Sequence, residues 1–140
     1  MDRIEFISKN DGMIRQFGMR VEEAGDGYAK VSVVVEDAFL NQHGVAHGAL
    51  VFALADVAFA IAVNSLTDAM GVQWSLNILR AARAGETLTA ECSTVHRGSR
   101  LFVVHYTVTS NSGKLVAQGQ ATALPVENTA IKTGGDAPAG

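Results

Sequence analysis

Hydrophobic and polar positions alternate along GYAKVSVVVE, residues 27–36. Ala29, Val31, Val33 and Val35 point one way, and Tyr28, Lys30, Ser32 and Val34 the other. A period of two predicts a strand. GMRVEEAGDG, just before it, reads as a shorter strand that turns at Gly25–Gly27. Residues 2–15 read as a short helix, with Ile4, Ile7 and Ile14 loosely on one face and Gly12 weakening its end. Four long β-prone segments follow later, at residues 71–81, 86–96, 101–110 and 114–124. HRGSR and SNSGK are turn sequences between the last three, which makes those three antiparallel neighbours.

Between these groups lies Ala49–Val63, apolar on nearly all sides and holding six alanines, at positions 49, 53, 55, 58, 60 and 62. Alanine favours helix, and its small side chain lets a neighbouring element come close. A helix apolar all round must be covered on most sides. The element order is therefore short helix, two strands, one hydrophobic central helix, four strands. It predicts an α+β fold in which a curved antiparallel sheet of five to six strands wraps one long helix. One sheet leaves the other side of that helix bare, which predicts pairing of subunits. Residues 1–126 read as a single domain, and the Pro/Gly/Ala-rich residues 127–140 as a flexible tail.

Composition narrows the function classes. The 140 residues are 48% hydrophobic, enough for a real core, and the net charge of -3 argues against a dedicated nucleic-acid binder. Cys92 is the one cysteine, so an intrachain disulfide is excluded and a reducing compartment fits. MDRIEFISKND is too polar for a signal peptide, and Ala49–Val63 is shorter than the roughly 18–20 apolar residues of a membrane span. The expectation is a soluble, cytoplasmic protein without a membrane partner. The four histidines and single cysteine show no metal-ligand spacing. Five basic residues against two acidic ones fall between Arg80 and Lys114. That stretch is either an ordinary solvated surface or a site for a phosphate-bearing ligand.

Asp56 stands in the middle of the apolar helix, with no Lys or Arg anywhere between Asp37 and Asp68. A buried, isolated charge is costly and finds partners or neutralises. It is either a structural carboxylate bonded to backbone or hydroxyl, or a general base or nucleophile of raised basicity. Gly48 falls in the first turn, where its N–H lacks an intrahelical partner and sits at the positive end of the helix dipole. That is a plain N-terminal glycine or a donor to a developing oxyanion. Asp56 follows Gly48 by eight residues, a rise of about 12 Å along one helix. One helix cannot offer both groups to one small substrate; two antiparallel helices across a two-fold axis can. His47 borders the helix start and is a site candidate. Asn41 either donates its amide to a carbonyl or stabilises the loop, and His43 reads as a surface residue.

HGALVFALADVAFAIAVNS resembles the PaaI-like hotdog-fold acyl-CoA thioesterases of the phenylacetate-degradation type. Their pattern is a loop Asn, then His-Gly-Gly, an Asp eight residues after the first Gly, and Asn-Ser near the helix end. Here these are Asn41, His47-Gly48-Ala49, Asp56 and Asn64-Ser65. ILRAARAGETLTA supplies Leu79, Arg80, Gly85 and Glu86 for the family's Leu-Arg-Pro strand end and Gly-acidic turn. The likeness runs over roughly residues 15–125.

This resemblance implies hydrolysis of an aryl or medium-chain acyl-CoA thioester. Asp56 would be nucleophile or general base, Gly48 N–H would polarise the carbonyl, and His47 and Asn41 would hold the carbonyl or the water. It also implies a homodimer, paired again into a homotetramer, with coenzyme A as part of the substrate and no separate cofactor. Arg80, Arg97 and Arg100 are its candidates for the nucleotide phosphates. Two departures stand out. Ala49 replaces the second Gly, and Gly71 and Val72 carry no hydroxyl where relatives place a Ser or Thr that positions water. Gln73 or Ser75 is the substitute. Trp74 is a core or interface aromatic or narrows the acyl pocket. The competing readings are a hotdog hydratase or dehydratase using His47 and Asp56, and a non-catalytic acyl-CoA binder.

Overall fold

A computed structural model describes residues 2–126; the tail expected at 127–140 lies outside the described residues. The N-terminal segment forms two helices rather than one. In α1 (Arg3–Asn10) the Asp2 carboxylate caps the first turn by accepting from Glu5 N–H. Asp11 leaves helical geometry at ψ 116° and caps α2 (Gly12–Phe17) through Met13 N–H. Asp competes for nearby backbone donors, so it ends one helix and starts the next. Gly18, left-handed at φ 68°, closes α2.

β1 (Arg20–Gly25) and β2 (Tyr28–Val34) make a hairpin. Its two-residue loop has Asp26 at φ 51° and Gly27 at φ 78°, the paired positive values that match strand twist. Ala29, Val31 and Val33 are buried as the alternation requires, and Val35 continues the pattern just past the strand. A single helical turn at Asp37–Phe39 and a loop then lead into α3 (Gly48–Asn64). At 17 residues α3 is the expected central helix, and no described helix is long and apolar enough to cross a membrane.

β3 (Ala69–Ile78), β4 (Thr87–Arg97), β5 (Phe102–Ser110) and β6 (Leu115–Pro125) complete one antiparallel sheet in the order β1-β2-β4-β5-β6-β3. The sheet is curved and has six strands, and it packs on α3 through β2, β3, β4 and β5. Leu50, Val51, Leu54, Ala55, Val57, Ala58, Phe59, Ile61, Ala62 and Val63 are buried. Ala49, Phe52, Ala53, Asp56 and Ala60 are not, and their spacing marks one bare stripe down the helix. β3 is an edge strand that bonds only to β6, and Val72, Trp74 and Ile78 stay exposed along it.

The attachment of β3 to the sheet depends on a void-free joint. Tyr106 of β5 lies across Gly119 of β6, and its hydroxyl donates to the carbonyls of Ser75 (2.7 Å) and Gln120 (3.0 Å). Burial pushes the phenol up to about 12, so it remains a donor. A Cβ on Gly119 would stand 2.0 Å from the Ser75 oxygen and 2.9 Å from the Tyr106 ring. Gly119→Ala is therefore expected to cost about 1–3 kcal/mol or more by overpacking. A urea unfolding curve measures this as a lower midpoint at unchanged slope.

Candidate active site

The loop before α3 builds the helix entrance. Asn41 folds its amide oxygen back to accept from His43 N–H (2.9 Å) and Val45 N–H (3.4 Å), so half of its side chain holds the loop. Its amide nitrogen has no partner among the described residues. His47 is the N-cap of α3, where Nδ1 accepts from Ala49 N–H at 3.0 Å. An accepting Nδ1 puts the ring proton on Nε2, so the imidazole offers a donor outward. Gly48 is the first helical residue. Its N–H has no partner among the described residues, while Ala49 N–H is satisfied by the cap and Leu50 and Val51 by the His47 carbonyl. The donor expected from the sequence is thus present at the positive end of the helix.

Gly48 borders a cavity of about 310 Å³ whose walls also include Asn41, Val51, Ile78, Leu79 and Arg80. The wall mixes apolar side chains with these polar groups in nearly equal measure. Asn41, Gly48 and Arg80 come together here, and His47 stands exposed at the same helix end.

Asp56 lies two turns further along, half-buried on the bare stripe. Its pKa is raised, first by burial and also by the Asp11 carboxylate; the nearby Trp74 indole N–H opposes both. The neighbour that the sequence did not reveal is therefore Trp74. The signal was parity: from Gln73 onward, β3 sends Trp74, Leu76 and Ile78 to the helix side, paired with Ala121, Gly119 and Ala117. Gln73 and Ser75 project from the opposite face of the sheet, so the structure does not bring either substitute to Asp56. The irregularity between Gly71 and Gln73 sets this parity.

The three arginines also separate. Arg80 follows β3 and borders the cavity. Arg97 ends β4 at the other end of the sheet and donates to the Asp26 carbonyl (2.6 Å) and carboxylate (3.3 Å). Arg100 sits in the adjoining β4–β5 turn. The antiparallel register carries residues 97 and 102 to the level of Gly71, whereas Arg80 follows Ile78 at the opposite end. Arg97 and Arg100 are therefore not part of the cavity of their own chain. His43 is exposed, as expected.

Holding Asp56 in this place opposes folding at neutral pH. Its folded pKa is above the unfolded value, so folding favours the protonated form. The stability tied to that proton is complete below about pH 4 and is lost as pH rises through the folded-state pKa. Asp56→Asn keeps an oxygen for the indole and removes the charge. We expect it to raise the melting temperature at pH 7, with the gain fading to nothing below about pH 4; calorimetry across that range checks the sign.

Comparison with known proteins identifies the family. Residues 43–117 match the family model described as Thioesterase superfamily, more than half of the chain. A protein of Archaeoglobus fulgidus that is named an esterase is 36% identical over 123 residues, 87% of this chain and 80% of that one. Acyl-coenzyme A thioesterase PaaI of Escherichia coli is 34% identical over 78% of this chain and 79% of its own length. The solved E. coli PaaI protein superposes with a TM-score of 0.86 at 30% identity, over 88% of this chain and 90% of that one. The central helix and curved six-stranded sheet are those of a hotdog protein, and the chain belongs to the thioesterase superfamily as a PaaI-like thioester hydrolase.

Proposed function

We propose that the protein hydrolyses an acyl-CoA thioester to a free acid and coenzyme A, in sites completed by two protomers. The observation that carries this reading is the pair of groups on α3. Gly48, whose N–H has no partner among the described residues, lines a cavity, and a half-buried carboxylate stands on the bare stripe of the same helix. The choice of a CoA ester is supported by the E. coli relative's name and by a Streptococcus pneumoniae thioesterase solved with coenzyme A (TM-score 0.74, 28% identity, 79% of this chain and 94% of that one).

Dimerisation follows from what α3 and β3 leave uncovered. Phe52, Val72, Trp74 and Ile78 are large, apolar and exposed, and they adjoin an unpaired strand edge. A second copy related by a two-fold axis covers the helix stripe and pairs the edge in one contact. Running the two α3 helices antiparallel sets Gly48 of one protomer opposite Asp56 of its partner. That closes the gap of about 12 Å that one helix leaves.

Asp56 then acts as general base. Its raised basicity suits removal of a proton from water, whose oxygen attacks the thioester carbon. Gly48 N–H bonds the carbonyl oxygen as it gains charge. Asn41's amide nitrogen and His47 Nε2–H are further donors at that end, and Arg80 on the cavity wall meets CoA phosphate. Collapse of the tetrahedral adduct breaks the C–S bond, and the departing thiolate takes the proton from Asp56. Water is the only co-reactant, so no separate cofactor is required. A free, buried Cys92 suits the reducing cytoplasm.

Thiol release from a panel of acyl-CoAs tests the activity, and Asp56→Ala should lower it by about 10²–10⁴-fold. Gly48→Pro removes the proposed donor at the one helical position that accepts proline, and should cost about 10²–10³-fold. The two variants also test the shared site. Mixed dimers of Asp56→Ala and Gly48→Pro chains contain one intact site if the groups come from different protomers, and recover about half the activity. If both groups serve one chain's own site, mixed dimers stay inactive.

A further inference from the structure

Trp74 is the one polar group that β3 sends towards Asp56, and its placement is over-determined. Phe52, Asp56 and Phe59 follow one another at four and three residues along α3, on the side towards β3. The Trp74 ring lies between the two phenylalanines, 6.0 Å from each, and meets them edge-on at 69° and 81°. Such T-shaped contacts are favourable and directional. Gly71 provides the third wall. A Cβ there would stand 2.4 Å from Trp74 Cζ2 and 2.6 Å from Phe59 Cε2, so the indole and Phe59 fill the space a side chain would take. Held on three sides, the indole lies against the face of α3 whose intervening turn carries Asp56.

We propose that Trp74 is a positioning residue for the reaction: its indole N–H, fixed by Phe52, Phe59 and Gly71, holds the Asp56 carboxylate in its reactive orientation. An indole N–H only donates, so it favours the ionised acceptor and occupies part of its hydrogen-bonding capacity. The rest of the carboxylate is left for water on the bare stripe. The other titratable groups around Asp56 are Cys92 from β4, Tyr106 from β5 and Asp11 from the α1–α2 junction. Asp11 works with burial against ionisation, while the neutral thiol and phenol add no charge; Trp74 is the group that opposes both. The hydroxyl that relatives carry on this strand has no counterpart at Gly71 or Val72, and β3's donor beside the carboxylate is this indole instead.

The proposal deepens the thioesterase reading and rests on it for the word reactive, but the contact can be tested without turnover. The chain has one tryptophan, so a ¹⁵N-labelled sample gives one indole N–H resonance. In the wild type that resonance should shift along a single acid titration. In Asp56→Asn the titration should be absent. A resonance flat from pH 3 to 8, or one that titrates equally in Asp56→Asn, overturns the proposal.

Trp74→Phe retains a ring between Phe52 and Phe59 and deletes the donor; circular dichroism checks that it folds. Loss of one charge-assisted hydrogen bond should lower kcat about 10–100-fold with KM within about twofold. The acid limb of the rate profile should move to higher pH. A Trp74→Phe enzyme with an unmoved acid limb and wild-type kcat also overturns the proposal. If the wild type releases thiol from no acyl-CoA, the thioesterase reading fails, and the resonance experiment still decides whether Trp74 holds Asp56.

Discussion

A helix apolar on almost every side has to be covered, and the curved sheet reaches only part of α3. Ten of its residues disappear against strands, and the remainder form a stripe that also carries the helix's one charge. Burial on the sheet side is what fixes the helix in rotation. At roughly 1.5–3 kcal/mol for each large apolar side chain removed from water, Leu50, Leu54, Phe59 and Ile61 leave little freedom to turn. With the rotation fixed, Asp56 has to face the bare side and Gly48 has to open the cavity end. The chemistry is thus a consequence of packing before it is a matter of catalysis.

Much of this was legible because the signals are local. The period of two in residues 28–34 and the uninterrupted apolar run of α3 declare their structures within a few residues. The turns between β4, β5 and β6 likewise place those strands side by side. The missing break between α1 and α2 is a matter of one competing side chain, Asp11. What the sequence did not declare is long-range. Nothing near residues 69–78 says that this strand skips its neighbours and joins the far edge beside β6.

The site divides in the same way. Gly48 and Asn41 were legible because a helix N-terminus and its loop are sequence-local features, and the cavity gathers them with Arg80. Gln73 and Ser75 were candidates by proximity in the chain, but strand parity decides such matters. One extra residue at the Gly71–Gln73 irregularity turns them to the outer face and brings Trp74 in. Arg97 and Arg100 were grouped with Arg80 by composition alone. Antiparallel strands send residues at successive turns to opposite ends of a sheet, and composition carries no information about which end.

Asp56 also shows what the arrangement costs. Desolvation weakens a charged carboxylate, yet the same desolvation makes it a better base. A protein that only had to fold would place an alanine here, as it does at Ala53 and Ala60 on the same stripe. The cost is contained by rigid support that reaches well beyond the carboxylate. β3 hangs from β6 alone, and Tyr106 reaches beneath Gly119 to grip the carbonyl of Ser75. Ser75 is the residue next to Trp74, so the joint that seats the edge strand also sets the indole against α3. A glycine on β6, a tyrosine on β5 and a tryptophan on β3 therefore form one mechanical series ending at the Asp56 carboxylate. In that series the residues that govern the charge need not touch it.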